Sequence, residues 1–249
     1  MKNRLRQLLL GEKKDFQQLC QQHNLQLDYS MNRAGLTIAS AIFREREYAD
    51  YFPFYEKATV IDIGAHFGYF SLFAASNLAP ESRIFAIEAD KKNVAVLEAN
   101  LRANFYQNLS THHLAMAGQS GKRTLHQSRA ENNSLIENYQ LLDDAHEQVQ
   151  ITAISLADFM EQHKLHHIDF LKMDCEGAEY EILLSATDDL LSTIDTISME
   201  FHDLKTLQGT SWRLVEKLQS AGFKVVKYAH EPTRRNLNYG KLIGTRRLS

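Results

Sequence analysis

Hydrophobic and polar positions follow two regimes along the chain. Over residues 1–55, Phe16, Leu19 and Cys20 recur at helical spacing within a Gln- and Lys-rich stretch, which predicts an amphipathic helix. Ala34 to Tyr51, rich in aromatic residues, Arg and Glu, continues as helical or irregular chain. From residue 58 the pattern becomes an alternation of short apolar runs and helical stretches. Ala58–Ile63 reads as a strand rich in β-branched residues, and Tyr69–Leu78 as an apolar helix. Arg83–Glu88 is a second strand, Lys91–Phe105 a helix with Val94, Val96, Leu97 and Leu101 on one face, and Thr111–Ala117 a third strand. A fourth strand, Ile168–Met173, precedes a helical stretch, Ala178–Ser185, and a fifth is Ile194–Phe201. Ser211–Ser220 is a helix, and Phe223–Tyr228 and Lys241–Arg246 are two last strands with no helix between them.

Short continuous apolar strands separated by helices are the pattern of a buried parallel sheet with crossover helices. The chain is therefore expected to be a doubly wound α/β domain with a seven-stranded, mostly parallel sheet over residues 56–249. Its last two strands should form an antiparallel pair at one edge. Residues 1–55 are expected to be a helical extension capping that domain, with a lid over a substrate cleft as the alternative role. Residues 118–148 break the alternation: a turn at Gly118 to Gly121, a small strand at Arg123–Ser128, then the polar and acidic stretch Asn132 to Glu147. A connection this long in a compact domain is usually functional or disordered.

Composition narrows the partners. With 28 Lys and Arg against 31 Asp and Glu, the formal charge of -3 gives no sign of a polycationic nucleic-acid or membrane-surface binder. The two cysteines, Cys20 and Cys175, make no disulfide framework, which suits a reducing compartment. The basic start has only Leu8, Leu9 and Leu10 as its apolar run, short of the ~7–15 residues of a signal peptide or the ~20 of a membrane helix. A cytoplasmic protein with neither nucleic-acid nor membrane partners is the expectation.

The chemistry concentrates at strand ends. Val60-Ile61-Asp62-Ile63-Gly64-Ala65-His66-Phe67-Gly68-Tyr69 is a strand, a glycine turn and the start of a helix. Ligands of open α/β sheets bind beyond the carboxyl ends of the strands. Gly64 and Gly68 allow a tight turn and a close approach of ligand to backbone. The second strand ends in Glu88-Ala89-Asp90, and Glu88 stands where such folds place an acid on a ribose diol. His66 occupies the position of the second glycine of G-x-G-x-x-G, where its side chain would crowd a pyrophosphate, and the chain has no P-loop. Asp62 and Glu88 instead suit a cofactor carrying an ammonium and a sulfonium, and S-adenosylmethionine fits best. Asp62 is expected to fix the turn and the amino-acid end of that cofactor.

A second constellation is Asp169-Phe170-Leu171-Lys172-Met173-Asp174-Cys175-Glu176-Gly177-Ala178-Glu179-Tyr180. Asp174 follows the fourth strand, which should neighbour the first and face the same crevice. The segments VIDIGAHFGYFSL, IFAIEAD and IDFLKMDCEGAEYEIL together resemble the FkbM-type family of S-adenosylmethionine-dependent methyltransferases over roughly residues 45–247. The resemblance implies a class I methyltransferase fold and methyl transfer, usually to a hydroxyl oxygen of a sugar or small natural product. It places Asp62, Gly64, His66, Gly68 and Glu88 at cofactor positions, with Ala65, Tyr69, Ala89 and Asp174 beside them. Asp174, Glu176 and Gly177 match its signature, and Asn132-Asn133-Ser134 loosely resembles a polar segment many members carry.

The fifth strand ends Met199-Glu200-Phe201-His202-Asp203, and alternation sends Glu200 and His202 to one side. His202, with an ordinary pKa of ~6.5, is a candidate general base alongside Asp174 and Glu176, or else a structural partner of Glu200. Asp174, Glu200 and His202 are also an O/N set of the kind that suits Mg or Mn, although no metal ligand is assigned. Two rival functions remain. A nucleic-acid methyltransferase would carry an [DN]-P-P-[YF] or Pro-Cys run, and the chain has neither. A non-catalytic cofactor-binding subunit would not need both motifs intact.

Overall fold

The computed structural model describes residues 2–33, 35–127, 133–136, 147–203, 210–232 and 238–247. Ala34, Asn132, most of the stretch 128–146 and residues 204–209 lie outside the described residues.

One sheet dominates. Strands β1 (Thr59–Ile63), β2 (Arg83–Glu88) and β3 (Leu109–His113) pair in parallel on one side, joined by helices α4 (Tyr69–Asn77) and α5 (Lys91–Asn104), which follow three N-terminal helices. On the other side of β1, strands β7 (Ile168–Met173) and β8 (Ile194–His202) add in parallel. Strands β9 (Lys224–Pro232) and β10 (Asn238–Thr245) close the sheet in the order β3-β2-β1-β7-β8-β10-β9. The seven strands match the sequence expectation, as does the antiparallel β9–β10 pair at the edge. The order of strands reverses at β1, between β2 and β7, so the crevice beyond the ends of β1, β2 and β7 is the place for a ligand.

A second, three-stranded sheet departs from the expectation. The predicted strand Thr111–Ala117 is two strands: β3 stays on β2, whereas β4 (Ala115–Ala117) joins β5 (Gly121–Gln127) and β6 (Glu147–Ser155). The break is a tight turn at Leu114, whose N–H donates to His112 O at 3.1 Å. Strand β6 leads into α6 (Leu156–Gln162), capped by Ser155, which accepts from Asp158 N at 3.1 Å. Short helices α7 (Glu179–Ser185) and α8 (Asp188–Ser192) join β7 to β8, and α9 (Ser211–Ser220) precedes β9.

Helices α1 (Lys2–Gln22), α2 (Tyr29–Asn32) and α3 (Leu36–Phe43) explain why α4 is apolar all round. A helix without a polar face must be covered on every side. Here β1 and β2 cover one side, and Phe16, Leu19, Ile42 and Phe43 of the N-terminal helices pack into the same core on the other. The aromatic residues after α3 tighten this layer: Tyr48 and Phe52 meet Phe70 edge-on at 5.2 and 6.1 Å, and Phe52 meets Phe170 of β7 at 5.2 Å. Edge-to-face pairs add roughly 0.5–1.5 kcal/mol each beyond their buried area.

Candidate active site

The turn after β1 is built by its neighbours. Gly64 and Ala65 N–H both donate to Ile87 O of β2, at 3.0 and 2.9 Å. Gly64 has φ +75°, and a Cβ there would strike the Asp174 carbonyl oxygen, so only glycine lets the end of β7 lie against the turn. Gly68, at φ +82°, starts α4 with its α carbon against Leu97 of α5. His66 takes a left-handed conformation between them, φ 51°.

Lys172 buttresses the turn from below. Its Nζ lies 3.1 Å from Asp62 Oδ1 and donates to Gly64 O at 2.8 Å. Asp62 is fully buried and also accepts from Ser71 Oγ at 2.6 Å. Burial opposes the Lys172 charge, but Asp62 and then Asp174 outweigh it and hold the ammonium pKa above its ordinary value.

Glu88, at the end of β2, is also buried. Its Oε2 accepts from His66 N and its Oε1 from Asp90 N, each at 2.8 Å. Oε1 also accepts from Asn93 Nδ2 at 3.5 Å, whereas Oε2 has the His66 amide as its donor and, with two lone pairs on a carboxylate oxygen, can accept from a ligand as well. Burial raises the Glu88 pKa, and the two amides pull it back. Asp90 caps α5 through Lys92 N at 2.6 Å and accepts from Asn133 Nδ2 at 2.7 Å. Ser134 Oγ donates to Glu176 O at 2.7 Å, so the polar segment noted in the sequence is tied to both halves of the site.

These elements surround a cavity of about 410 Å³. Of the predicted residues, Gly64, Ala65, His66, Tyr69, Glu88, Ala89, Asp174 and Glu176 line it. Asp62, Gly68 and His202 do not: Asp62 and Gly68 act on the shape of the turn, and His202 lies beneath the wall. Residues with no signal in the sequence also line it. Thr37, Ile38 and Ala41 of α3, with Glu47 and Tyr48, form one wall. The N-terminal segment therefore packs on α4 and also borders the cleft. Glu47 is fixed by Lys241 Nζ at 2.6 Å. Tyr48 is buried, and burial followed by Asp174, Glu47 and Glu200 keeps its phenol neutral, with a pKa well above its ordinary value.

Beyond Asp174 the wall is acidic. His202 Nδ1 lies 3.3 Å from Glu179 Oε1, and Nε2 lies 3.5 Å from Glu176 Oε2 and 3.6 Å from Glu200 Oε1. Burial disfavours the imidazolium, yet Glu179, Glu200 and Glu176 outweigh it and place the His202 pKa well above its ordinary value. Glu179, fully buried, also accepts from Cys175 N and Gly177 N at 2.9 Å each. It holds the β7–α7 loop and His202 together. The sequence reading gave it no role, although an acid in the first turn of a helix is a signal for capturing loop amides. Asp174, Glu200 and His202 offer ligand atoms all within 4.8 Å of one another.

The cavity fits S-adenosylmethionine on its own features. The Glu88 carboxylate, with Oε2 still able to accept, suits a ribose hydroxyl, the bare Gly64 backbone allows close approach, and the acidic walls suit an ammonium and a sulfonium. The strand order, the glycine turn after β1 and the acid ending β2 define a class I S-adenosylmethionine-dependent methyltransferase. More narrowly, the chain belongs to the Methyltransferase FkbM domain family, which matches residues 62–225. S-adenosylmethionine is the cofactor of this family. Methyltransferase 1 of Beauveria bassiana is 27% identical over 206 residues, covering 76% of this chain and 80% of that protein. The AMB antimetabolite synthetase AmbE of Pseudomonas aeruginosa is 29% identical over 203 residues, 68% of this chain but 10% of that protein. Among solved structures, the N-terminal domain of EvdMO1 with SAH bound has a TM-score of 0.48 and 15% identity, covering 82% of this chain and 80% of that one.

Proposed function

We propose that this methyltransferase acts on a hydroxyl oxygen of a small acceptor, a sugar or a small natural product. The observation that carries the reading is the acidic wall of Asp174, Glu176 and Glu200, opposite the N-terminal wall of Thr37, Ile38 and Tyr48. Carboxylates accept hydrogen bonds from hydroxyls and can take a proton, whereas a phosphate-bearing acceptor would meet repulsion. A cavity of about 410 Å³, walled by an element packed onto the domain, suits a small acceptor better than a helix of nucleic acid. The match within an antimetabolite synthetase supports a small product as well.

When bound, the cofactor supplies an electrophilic methyl group on a sulfonium. The chain contributes the rest. Glu88 and the 64–68 turn hold the adenosine half, Lys172 keeps the turn in place, and the acidic wall orients the hydroxyl. Alignment of oxygen with methyl is worth up to ~7–11 kcal/mol of barrier. The test is methyl transfer from radiolabelled cofactor to parallel panels of polyols, phosphorylated sugars, amines, RNA and protein, with products read by mass spectrometry. Methyl ethers formed only in the uncharged hydroxyl panel are the expected result. Transfer only to amines or macromolecules, or cofactor binding with no transfer to any panel, would refute it.

A further inference from the structure

We infer that Glu200 is the group that takes the acceptor's proton, and that His202 is a positioning residue holding a fixed proton beneath it. The inference rests on the O-methylation reading and assigns the wall's members separate tasks.

Geometry separates the two residues. Both project from the same side of β8, but Glu200 lines the cavity and His202 does not, its side chain being 7% exposed against 21% for Glu200. Both ring nitrogens of His202 point at carboxylates: Nδ1 at Glu179, 3.3 Å away, and Nε2 at Glu176 and Glu200, 3.5 and 3.6 Å away. A hydrogen bond from Nδ1 to Glu179 and two carboxylates within 3.6 Å of Nε2 favour a proton on each nitrogen, which is the imidazolium. An imidazolium cannot serve as a base. Glu179 sets this state, because its own oxygens are pinned by the Cys175 and Gly177 amides and cannot swing away.

Sheet order separates Glu200 from the other carboxylates. Asp174 follows β7, next to the cofactor turn, and its backbone N–H donates to Ile63 O at 3.0 Å. Glu200 sits one strand further from the cofactor turn, on β8, and lines the same cavity. Its carboxylate is faced by Asp174 from β7, Glu47 and Tyr48 from the N-terminal segment, His202 on its own strand, and Lys241, its register partner on β10. Burial, then Asp174 and Glu47, raise the Glu200 pKa, and His202 draws it back. A carboxylate made more basic in this way is a better proton acceptor near neutral pH.

The step balances. The acceptor oxygen bonds to the methyl carbon as the sulfur–carbon bond breaks, and that electron pair stays on sulfur. The hydroxyl proton passes to a Glu200 oxygen and leaves to water with the product. His202 stays protonated throughout, limiting repulsion between Glu200, Glu176 and Glu179.

The experiment is side-chain NMR on the full chain with S-adenosylhomocysteine added, using ¹⁵N-histidine and ¹³C-carboxyl labels, on wild type, Glu200→Gln and Glu179→Gln. His202 should carry protons on both nitrogens at pH 7, and Glu179→Gln should lower its pKa by a unit or more. Glu200 should titrate above an ordinary carboxyl. On a hydroxyl acceptor found by the transfer panels, Glu200→Gln should lower kcat about 10²–10⁴-fold with the cofactor's KM unchanged. A neutral His202 with one bare nitrogen at pH 7, or wild-type kcat in Glu200→Gln, would overturn the inference. An imidazolium as expected, with no hydroxyl methylated, would support the proton arrangement and defeat the O-methylation reading instead.

Discussion

Asn32 and Asn100 form a reciprocal amide pair: Asn32 Nδ2 donates to Asn100 Oδ1 at 3.0 Å, and Asn100 Nδ2 donates to Asn32 Oδ1 at 2.7 Å. Both are buried. The second Asn100 N–H donates to Phe67 O at 2.8 Å, and Tyr69 O–H donates to Asn32 Oδ1 at 3.0 Å. The pair therefore links the N-terminal segment, α5 and the cofactor turn. Replacing Asn100 by Ala takes a donor from the Phe67 carbonyl and leaves one Asn32 N–H without its acceptor, while the other still donates to Asp28 O at 2.8 Å. Each buried group left unpaired costs about 1–3 kcal/mol, so a loss of roughly 3 kcal/mol is expected in urea unfolding. Weaker binding of S-adenosylhomocysteine should accompany it. Because the two residues act together, Asn32→Ala combined with Asn100→Ala should cost less than the sum of the singles. Strict additivity would show that the pair is not a unit.

Gly64 tests the turn itself. Alanine there would carry a Cβ into the Asp174 carbonyl at a backbone angle that side chains avoid. Left-handed backbone alone costs a non-glycine residue about 1–2 kcal/mol, and the collision adds to it. Gly64→Ala should thus unfold earlier than wild type and lose measurable heat of cofactor binding. Near-wild-type affinity would mean that β7 and the turn are not as closely packed as described.

Glu88 isolates cofactor recognition from folding. Glu88→Gln preserves shape but offers an N–H where the carboxylate accepted, opposite either the His66 or the Asp90 amide. It also removes one charged acceptor for the ribose. Charged hydrogen bonds are worth about 1.5–3 kcal/mol, so calorimetry should show an affinity loss of at least about 10-fold for S-adenosylhomocysteine. Unchanged affinity would take Glu88 off the ribose.

Much of this site was legible because strand ends announce themselves. The apolar run Val60–Ile63 followed by Gly64, and Ile84–Ile87 followed by Glu88, each mark a buried strand opening on a crevice. Asp174 was placed beside the turn by the rule that the crossover strand neighbours the first. The remainder was hidden for physical reasons. Strand β6 begins Glu147-Gln148-Val149-Gln150, all exposed, so it carries no hydrophobic period at that end. The split at Leu114 depends on which sheet receives Ala115–Ala117, a tertiary choice. His202 reads as a candidate base because it is a histidine at a strand end. The carboxylates that surround it, Glu179, Glu176 and Glu200, are not legible as its neighbours, since two of them lie on the β7–α7 segment and meet it only in the fold. The wall from Thr37 to Tyr48 reaches the cavity only after α3 docks on α4.

Away from the site, His112 makes stability depend on pH. It stacks among Phe85, Phe159 and His163, with ring centroids 5.8, 5.3 and 4.8 Å away. Its Nε2 also shares a hydrogen bond with Ser110 Oγ at 3.1 Å. Burial, and then His163, lower its pKa to about 4. In the unfolded chain the ring titrates near its ordinary value of ~6.5. Between those values the unfolded state binds more protons than the folded one, so stability rises with pH across that window and falls on acidification through it. Above pH ~6.5 both states are neutral at this ring and its contribution is level. His112→Phe keeps an aromatic ring in the stack and removes the proton site. Urea unfolding of this variant between pH 4 and 6.5 should lose less stability on acidification than wild type does. Equal acid slopes for the two proteins would assign the effect to other groups.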